Sequence, residues 1–251
     1  MRDSWRLVDS DLVQPGESAA LDEAILEAHI AGMVPNTLHF YRRIVPTVSV
    51  GYFQKVSESV DIEECRKRGV AVVRRKSGGS TIYTDSGQLI YGLVVHESEL
   101  PGELQDSFKK VCTAIASAIS SFGTEAEYRP LNDIEVQGKK VSGNAQLRRK
   151  GSVLQHGTIL AEADIATMDA ILKVKPTTTR SADRASERVA TLTSILGAPP
   201  EMEVLKGMIS IALGEAFGAR FKKSGLVQFE KETVVKLVDE FYSKDDWNFK
   251  Y

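Results

Sequence analysis

Apolar residues recur along this chain with two alternating spacings, and the switch between them marks out its elements. From Ser18 the apolar positions Leu21, Ala24, Ile25 and Ala28 return every three to four residues, which predicts an amphipathic helix with Ser18 as N-cap and Gly32 as stop. Leu38-His39-Phe40-Tyr41 and Thr47-Val48-Ser49-Val50-Gly51-Tyr52 read as short strands. Asp61-Ile62-Glu63-Glu64 opens a helix with a capping-box pattern that Gly69 closes. Val70-Ala71-Val72-Val73 reads as a buried strand, and Leu89 to Val95 as the next. In the long segment that follows, Leu104, Phe108, Val111, Ile115, Ile119 and Phe122 share one helical face, and Gly123 ends it.

Further along, Ile134 to Ser142 has the pattern of a hairpin turning near Gln137-Gly138, and Ser152 to Leu154 with Gly157 to Leu160 reads as a second pair of short strands. The pattern then becomes helical through Ile165, Met168, Ile171 and Leu172. Two later helices carry Leu205, Ile209, Leu213 and Phe217, and Val234, Leu237, Val238 and Phe241. Before these two helices the polar stretch 175–188, KPTTTRSADRASER, is expected to be a mobile loop. Strands joined by hairpins and flanked by helices predict an α+β fold with a mixed, largely antiparallel sheet. No repeat or low-complexity linker divides the chain, so one large domain over 1–251 is expected.

Composition narrows the classes of function. With 32 Lys+Arg against 34 Asp+Glu the net charge is -2, which gives no global field for nucleic acid or an anionic membrane, so any anion site must be local. No apolar run approaches the roughly 20 residues of a membrane span, and the N-terminus has no signal-like apolar region, so a cytoplasmic protein is expected. The two cysteines, Cys65 and Cys112, sit in helix-like patterns and form neither a disulfide framework nor a metal spacing.

The candidate chemistry begins at Arg74-Arg75-Lys76-Ser77-Gly78-Gly79-Ser80, followed by the strand-favouring Thr81-Ile82-Tyr83. Adjacent glycines let backbone N–H groups converge on an anion, and arginine adds a planar fork of donors. Alone, the same stretch reads equally as a hairpin turn with two solvated arginines; it is neither a Walker loop nor a dinucleotide fingerprint. Downstream come Asn132-Asp133-Ile134, then Gly138-Lys139-Lys140-Val141-Ser142-Gly143-Asn144-Ala145, then Gln155-His156-Gly157-Thr158.

Taken together, RRKSGG, LNDIEVQGKKVSGNAQ and LQHGTIL resemble the lipoate-protein ligase family, relatives of the biotin ligases. The resemblance runs from Leu21-Asp22-Glu23-Ala24-Ile25 through Gly51-Tyr52-Phe53-Gln54 and Arg188-Val189-Ala190-Thr191-Leu192 to Trp247-Asn248. It implies a biotin/lipoyl-ligase-like fold and two-step chemistry. Lipoate or octanoate and ATP, with Mg, give an acyl adenylate, and the acyl group passes to a lysine of a lipoyl carrier of the 2-oxoacid dehydrogenase E2 or glycine-cleavage H protein type. By that resemblance Lys140 is the catalytic cation between carboxylate and α-phosphate. Arg74, Arg75, Gly78, Gly79, Ser80, Thr81, Ile82, Tyr83, Asn132 and Asp133 face the nucleotide, with Asp133 also a ligand for Mg. Gly143, Ala145 and His156 line the lipoyl tunnel, His156 in a hydrogen-bonding role.

Three features depart from the family pattern. Ser80 stands where a third glycine is usual, and Thr84-Asp85 where many relatives have His-Asp. The chain also stops after Trp247-Asn248, where relatives that work alone continue into a further small domain. A split-type enzyme with a separate small accessory subunit is therefore expected. The rival reading is the octanoyl transferase of the same fold, which draws its acyl group from a carrier thioester through a cysteine; there a Cys-Phe pair occupies the region of Asn132-Asp133. A third reading is a lipoyl-domain binding subunit without catalysis.

Overall fold

The computed structural model describes residues 4–173 and 184–251. Strand β1 (Ser4–Val13) leads into helix α1 (Pro15–Ile30), then β2 (Thr37–Arg43), β3 (Thr47–Val50), and the short helices α2 (Val56–Ser59) and α3 (Ile62–Lys67). Strands β4 (Ala71–Arg74), β5 (Ile82–Thr84) and β6 (Leu89–His96) precede the long α4 (Leu104–Ser120). Four strands follow: β7 (Ala126–Arg129), β8 (Asp133–Val136), β9 (Lys139–Arg149) and β10 (Ser152–Ile159). Helices α5 (Ile165–Ile171), α6 (Leu192–Leu196) and α7 (Met202–Phe217), strand β11 (Arg220–Lys223), and helices α8 (Gln228–Leu237) and α9 (Asp245–Asn248) complete the chain.

Eight strands form one sheet in the order β11-β1-β2-β6-β10-β9-β8-β7, and β4-β3-β5 form a second, smaller one. In the large sheet β1 runs parallel to β2 and to β11, while its other pairs are antiparallel, as an α+β fold requires. One face carries Phe40, Tyr91, Leu93 and Val153 into a core with Val111, Ile115 and Ile119 of α4 and Leu205, Ile209 and Leu213 of α7. On the other face Ile25 and Leu26 of α1 pack on Val94 and Leu154. Helix α1 lies so close that a Cβ on Gly92 of β6 would stand 2.8 Å from Asp22 Oδ1.

The predicted elements recur with several instructive shifts. Helix α1 starts at Pro15, with Gln14 and Glu17 forming its capping box. Ser18 lies inside it, donating its hydroxyl to the Pro15 carbonyl. The helix is also buried almost all round, Asp22 and Glu23 included, because α8 and the turn at 238–242 cover its outer side. The predicted pair at 152–160 is one continuous strand, β10, hydrogen-bonded to both β6 and β9. Strands β1, β7 and β11 add to the predicted set. Of the loop 175–188, residues 175–183 lie outside the described residues, whereas Ala185–Glu187 form a helical turn held by Asp169, whose carboxylate accepts from the Ser186 backbone N–H. The hairpin turn is as predicted: Gln137 and Gly138 both have positive φ, +52° and +73°.

Ile115 is fully buried between α4 and the sheet. Ile115→Ala is expected to lower unfolding free energy by about 2–5 kcal/mol with an unchanged denaturant slope, measured by urea unfolding.

Candidate functional site

Between the two sheets and α1 lies a cavity of about 670 Å³. Its wall carries six basic side chains, Arg43, Arg75, Lys76, Arg129, Lys140 and Arg188, against three carboxylates, Asp22, Glu23 and Asp133. In a chain of net charge -2 this is the local positive field that an anionic ligand requires. Of the predicted site residues, Arg75, Gly79, Ser80, Thr81, Ile82, Tyr83, Asn132, Asp133, Lys140, Gly143, Ala145 and His156 line it; Arg74 and Gly78 do not.

The two arginines of the glycine turn have separate tasks. Arg74 is fully buried and points away from the cavity. Its Nη1 donates to the carbonyls of Gly51, Tyr52 and Gln54 at 3.0, 3.2 and 2.8 Å. Trp247 Nε1 donates to the Arg74 carbonyl at 2.8 Å, and the Arg74 N–H to Asn248 Oδ1 at 3.0 Å, which ties the Trp-Asn segment to the turn. Arg75 lines the cavity, but its donors are spent on the turn itself. Nη1 donates to Ser49 O (2.8 Å), Nη2 to Gly78 O (2.8 Å) and Ser80 O (2.7 Å), and Nε to Ser77 Oγ (3.1 Å). Burial and then the neighbouring Arg43 charge push the Arg75 guanidinium down to about 10. Within this cradle Gly79 has φ +92° and packs on Gly51 so closely that a Cβ on Gly51 would lie 2.0 Å from the Gly79 carbonyl oxygen.

Lys140 stands at the start of β9 with Nζ 2.7 Å from Asp133 Oδ1. Its side chain passes over Gly143, where a Cβ would meet Lys140 Cε and Nζ at 2.6 Å. Glycine at 143 therefore makes room for the ammonium. Asn132 orders the same corner: its carbonyl accepts from Asn144 Nδ2 at 2.9 Å, and its own amide donates to the Asn144 carbonyl. Among the described residues no three His, Cys, Asp or Glu side chains form a metal cage. A magnesium ion would draw its oxygens chiefly from phosphate and water, with Asp133 as a protein ligand.

His156 joins the turn to α1. Its Nε2 lies 2.7 Å from Ser77 Oγ and its Nδ1 2.7 Å from Asp22 Oδ2, while Tyr41 donates to the same carboxylate oxygen at 3.1 Å. An ionised carboxylate only accepts, so Nδ1–H donates to Asp22, and Nε2 shares the hydrogen bond with the Ser77 hydroxyl. Burial alone would raise the Asp22 carboxyl, but hydrogen bonds and charge from His156 and His39 hold it below the ordinary carboxylate range. Ala145, opposite His156 in the β9–β10 ladder, presents a small side chain to the cavity. Asp22, Arg43 and the Lys76–Glu23 ion pair (2.6 Å) belong to this site without having been predicted. Two adjacent carboxylates within an apolar helix were the available signal for the first of them. Neither cysteine lines the cavity: Cys65 and Cys112 are buried, and desolvation pushes their thiols up to about 11 and about 12.

Residues 14–213 match the profile of the lipoyl protein ligase A/B catalytic domain. Octanoyltransferase LipM of Kyrpidia tusciae is 31% identical over 98% of this chain and 99% of its own length, and that of Symbiobacterium thermophilum is 29% identical over the whole of both. Among solved structures, lipoate-protein ligase A bound with ATP superposes with a TM-score of 0.87 at 28% identity, covering 98% of both chains. The bi-partite lipoate protein ligase of Thermoplasma acidophilum follows at 0.85 and 27%, covering 98% of this chain and 96% of its own. A biotin protein ligase of Aquifex aeolicus, at 14% identity and a TM-score of 0.51, shares the fold.

Two outcomes follow from the packing. Gly51→Ala is expected to displace the glycine turn, read as faster hydrogen exchange of the backbone amides at 77–80, while circular dichroism stays native. Because its folded value lies below the unfolded one, Asp22 contributes stability above about pH 4 and loses it as pH falls further. Asp22→Asn should cost about 1–3 kcal/mol at neutral pH, with the gap to wild type narrowing in urea titrations at more acid pH.

Proposed function

The chain belongs to the lipoyl protein ligase A/B catalytic-domain family, and from that premise we propose that it activates lipoate or octanoate with ATP and attaches the acyl group to a lysine of a lipoyl carrier domain. The observation that carries this reading is the pairing of a positively lined cavity, with Lys140 at its wall, with the absence of both thiols from that wall. When bound, ATP supplies the activated α-phosphorus: the acid's oxygen bonds to it as pyrophosphate leaves, and the carrier amine later takes the acyl group as AMP leaves. Carboxylate and phosphate repel by about 4 kcal/mol at 4 Å and an effective dielectric constant near 20. Lys140 offsets that repulsion. Its ammonium has three donors, and Asp133 occupies one, which leaves two for the anions.

Arg75 holds the turn in shape, and Gly79 and Ser80 present its backbone to the phosphates. Asp133 both orients Lys140 and offers an oxygen to magnesium. The acceptor is a folded lipoyl domain of the E2 or H protein type. A separate small partner for the activation step belongs to the proposal too, in line with the bi-partite ligase of Thermoplasma acidophilum.

A second reading, acyl transfer from a carrier thioester without ATP, is favoured by the names of the curated relatives. The match to the Kyrpidia tusciae protein runs over 273 positions against the 251 residues here, so that relative carries segments this chain lacks. With neither cysteine on the cavity wall, the hydroxyl placed for such a route is Ser77, hydrogen-bonded to His156.

The test incubates the chain, with and without a candidate partner, with ATP, magnesium, octanoate or lipoate and a lipoyl domain, and follows the carrier by mass spectrometry. ATP-dependent gain of one acyl group is expected, and Lys140→Ala should slow it by about three orders of magnitude, the rate equivalent of the lost charge neutralisation. Full-rate transfer from an octanoyl carrier thioester without ATP, with acyl-Ser77 trapped on the way, would replace the ligase reading by the second.

A further inference from the structure

Arg43 ends β2, and the alternation of that strand turns His39, Tyr41 and Arg43 toward α1 and the cavity, while Leu38 and Phe40 enter the core beneath α4. Its side chain is 4% exposed, it lines the cavity, and its Nε and Nη1 are buried without a hydrogen-bond partner among the described residues. The neighbours that act on its charge are Tyr41 and then Asp22, whose carboxylate Tyr41 and His156 already engage. Arg75 adds a like charge beside it. Thr81 Oγ1, on the same cavity wall, is also buried and unpartnered.

A guanidinium stays charged when buried, and a buried charge without a partner is costly. Arg75 shows how this fold satisfies such a group, by giving every donor a carbonyl or hydroxyl. Arg43 lines the cavity without such a complement, its Nε and Nη1 buried and without a hydrogen-bond partner among the described residues. Its strand and that of Lys140 are separated by β6 and β10, so the two residues stand about 14 Å apart across the sheet, at three inter-strand spacings. Among the basic residues of the cavity wall, Lys140 has a carboxylate partner, whereas two buried donor atoms of Arg43 have none among the described residues.

We propose that Arg43 is a second anion-binding residue of the cavity, its guanidinium balancing an anionic oxygen of the ligand. An octanoyl or lipoyl tail has no charge to offer it. Under the ligase reading, on which the choice of ligands rests, the oxygen belongs either to the carboxylate of the acid or to a phosphate of the nucleotide. The fork of donors suits both.

The experiment follows the Nε–Hε resonance of Arg43 in the full chain labelled with ¹⁵N-arginine, assigned by its loss in Arg43→Lys. Octanoate, ATP with magnesium and octan-1-ol are titrated separately. One of the two anions is expected to shift the resonance, and Arg43→Gln to weaken that same ligand about tenfold or more, with octan-1-ol unaffected. A shift with octanoate assigns the carboxylate; a shift with ATP assigns the phosphate. Should Arg43→Gln fail to fold, Arg43→Lys, which keeps the charge and loses the fork, reports the same loss. Binding of both anions with the resonance unmoved, or at wild-type affinity in the variants, overturns the proposal. If Arg43 responds as expected and no carrier is acylated, the ligase reading falls alone.

Discussion

The cavity depends on one half-buried guanidinium. Arg75 gives its donors to Ser49, Ser77, Gly78 and Ser80, and this converts a flexible glycine turn into a fixed rim between the two sheets. The remaining contacts follow from that shape. Gly79 can lie against Gly51 because neither carries a side chain, and Ser77 is brought to His156, which anchors the turn to Asp22 on α1. The network crosses three layers of the fold.

Positive charge is divided by task among the basic residues. Arg74 and Arg75 hold backbone carbonyls and so support architecture, although side by side in sequence they look like a ligand-binding pair. Lys140, kept in place by Asp133 and by the space over Gly143, is the cation with donors to spare at the corner formed by β8 and β9. Arg43 is buried, with two donor atoms that have no partner among the described residues. Three physical roles thus come from one residue class, and burial together with hydrogen-bond partners distinguishes them.

The comparisons illustrate how fold and reaction separate. Proteins named as octanoyltransferases and as lipoate ligases match this chain over nearly its full length. A shared frame therefore does not choose between the two named reactions, and the choice has to be argued from the site. In this chain both thiols are buried in helix packing and pushed toward the protonated form.

The order and type of most elements were legible in the sequence, because a helix or strand with one buried face must repeat its apolar residues at the period of its own geometry. The positive φ of Gln137-Gly138 and the helix stops at Gly32 and Gly69 were equally local matters. Strands β1 and β11 were not, since their place depends on pairing between residues more than two hundred positions apart. Lys140, Asp133 and the glycine turn could be singled out as residues, but their side of the fold could not. Neighbours such as Arg74 and Arg75 point opposite ways, and which one meets the cavity depends on where the Trp247-Asn248 segment docks. Tertiary structure alone brought Asp22, Ser77 and His156 into hydrogen-bonding range across 134 and 79 positions, and left Arg43 open beside them. Local periodicity records which face of an element is buried; what that face meets is decided by packing among distant segments.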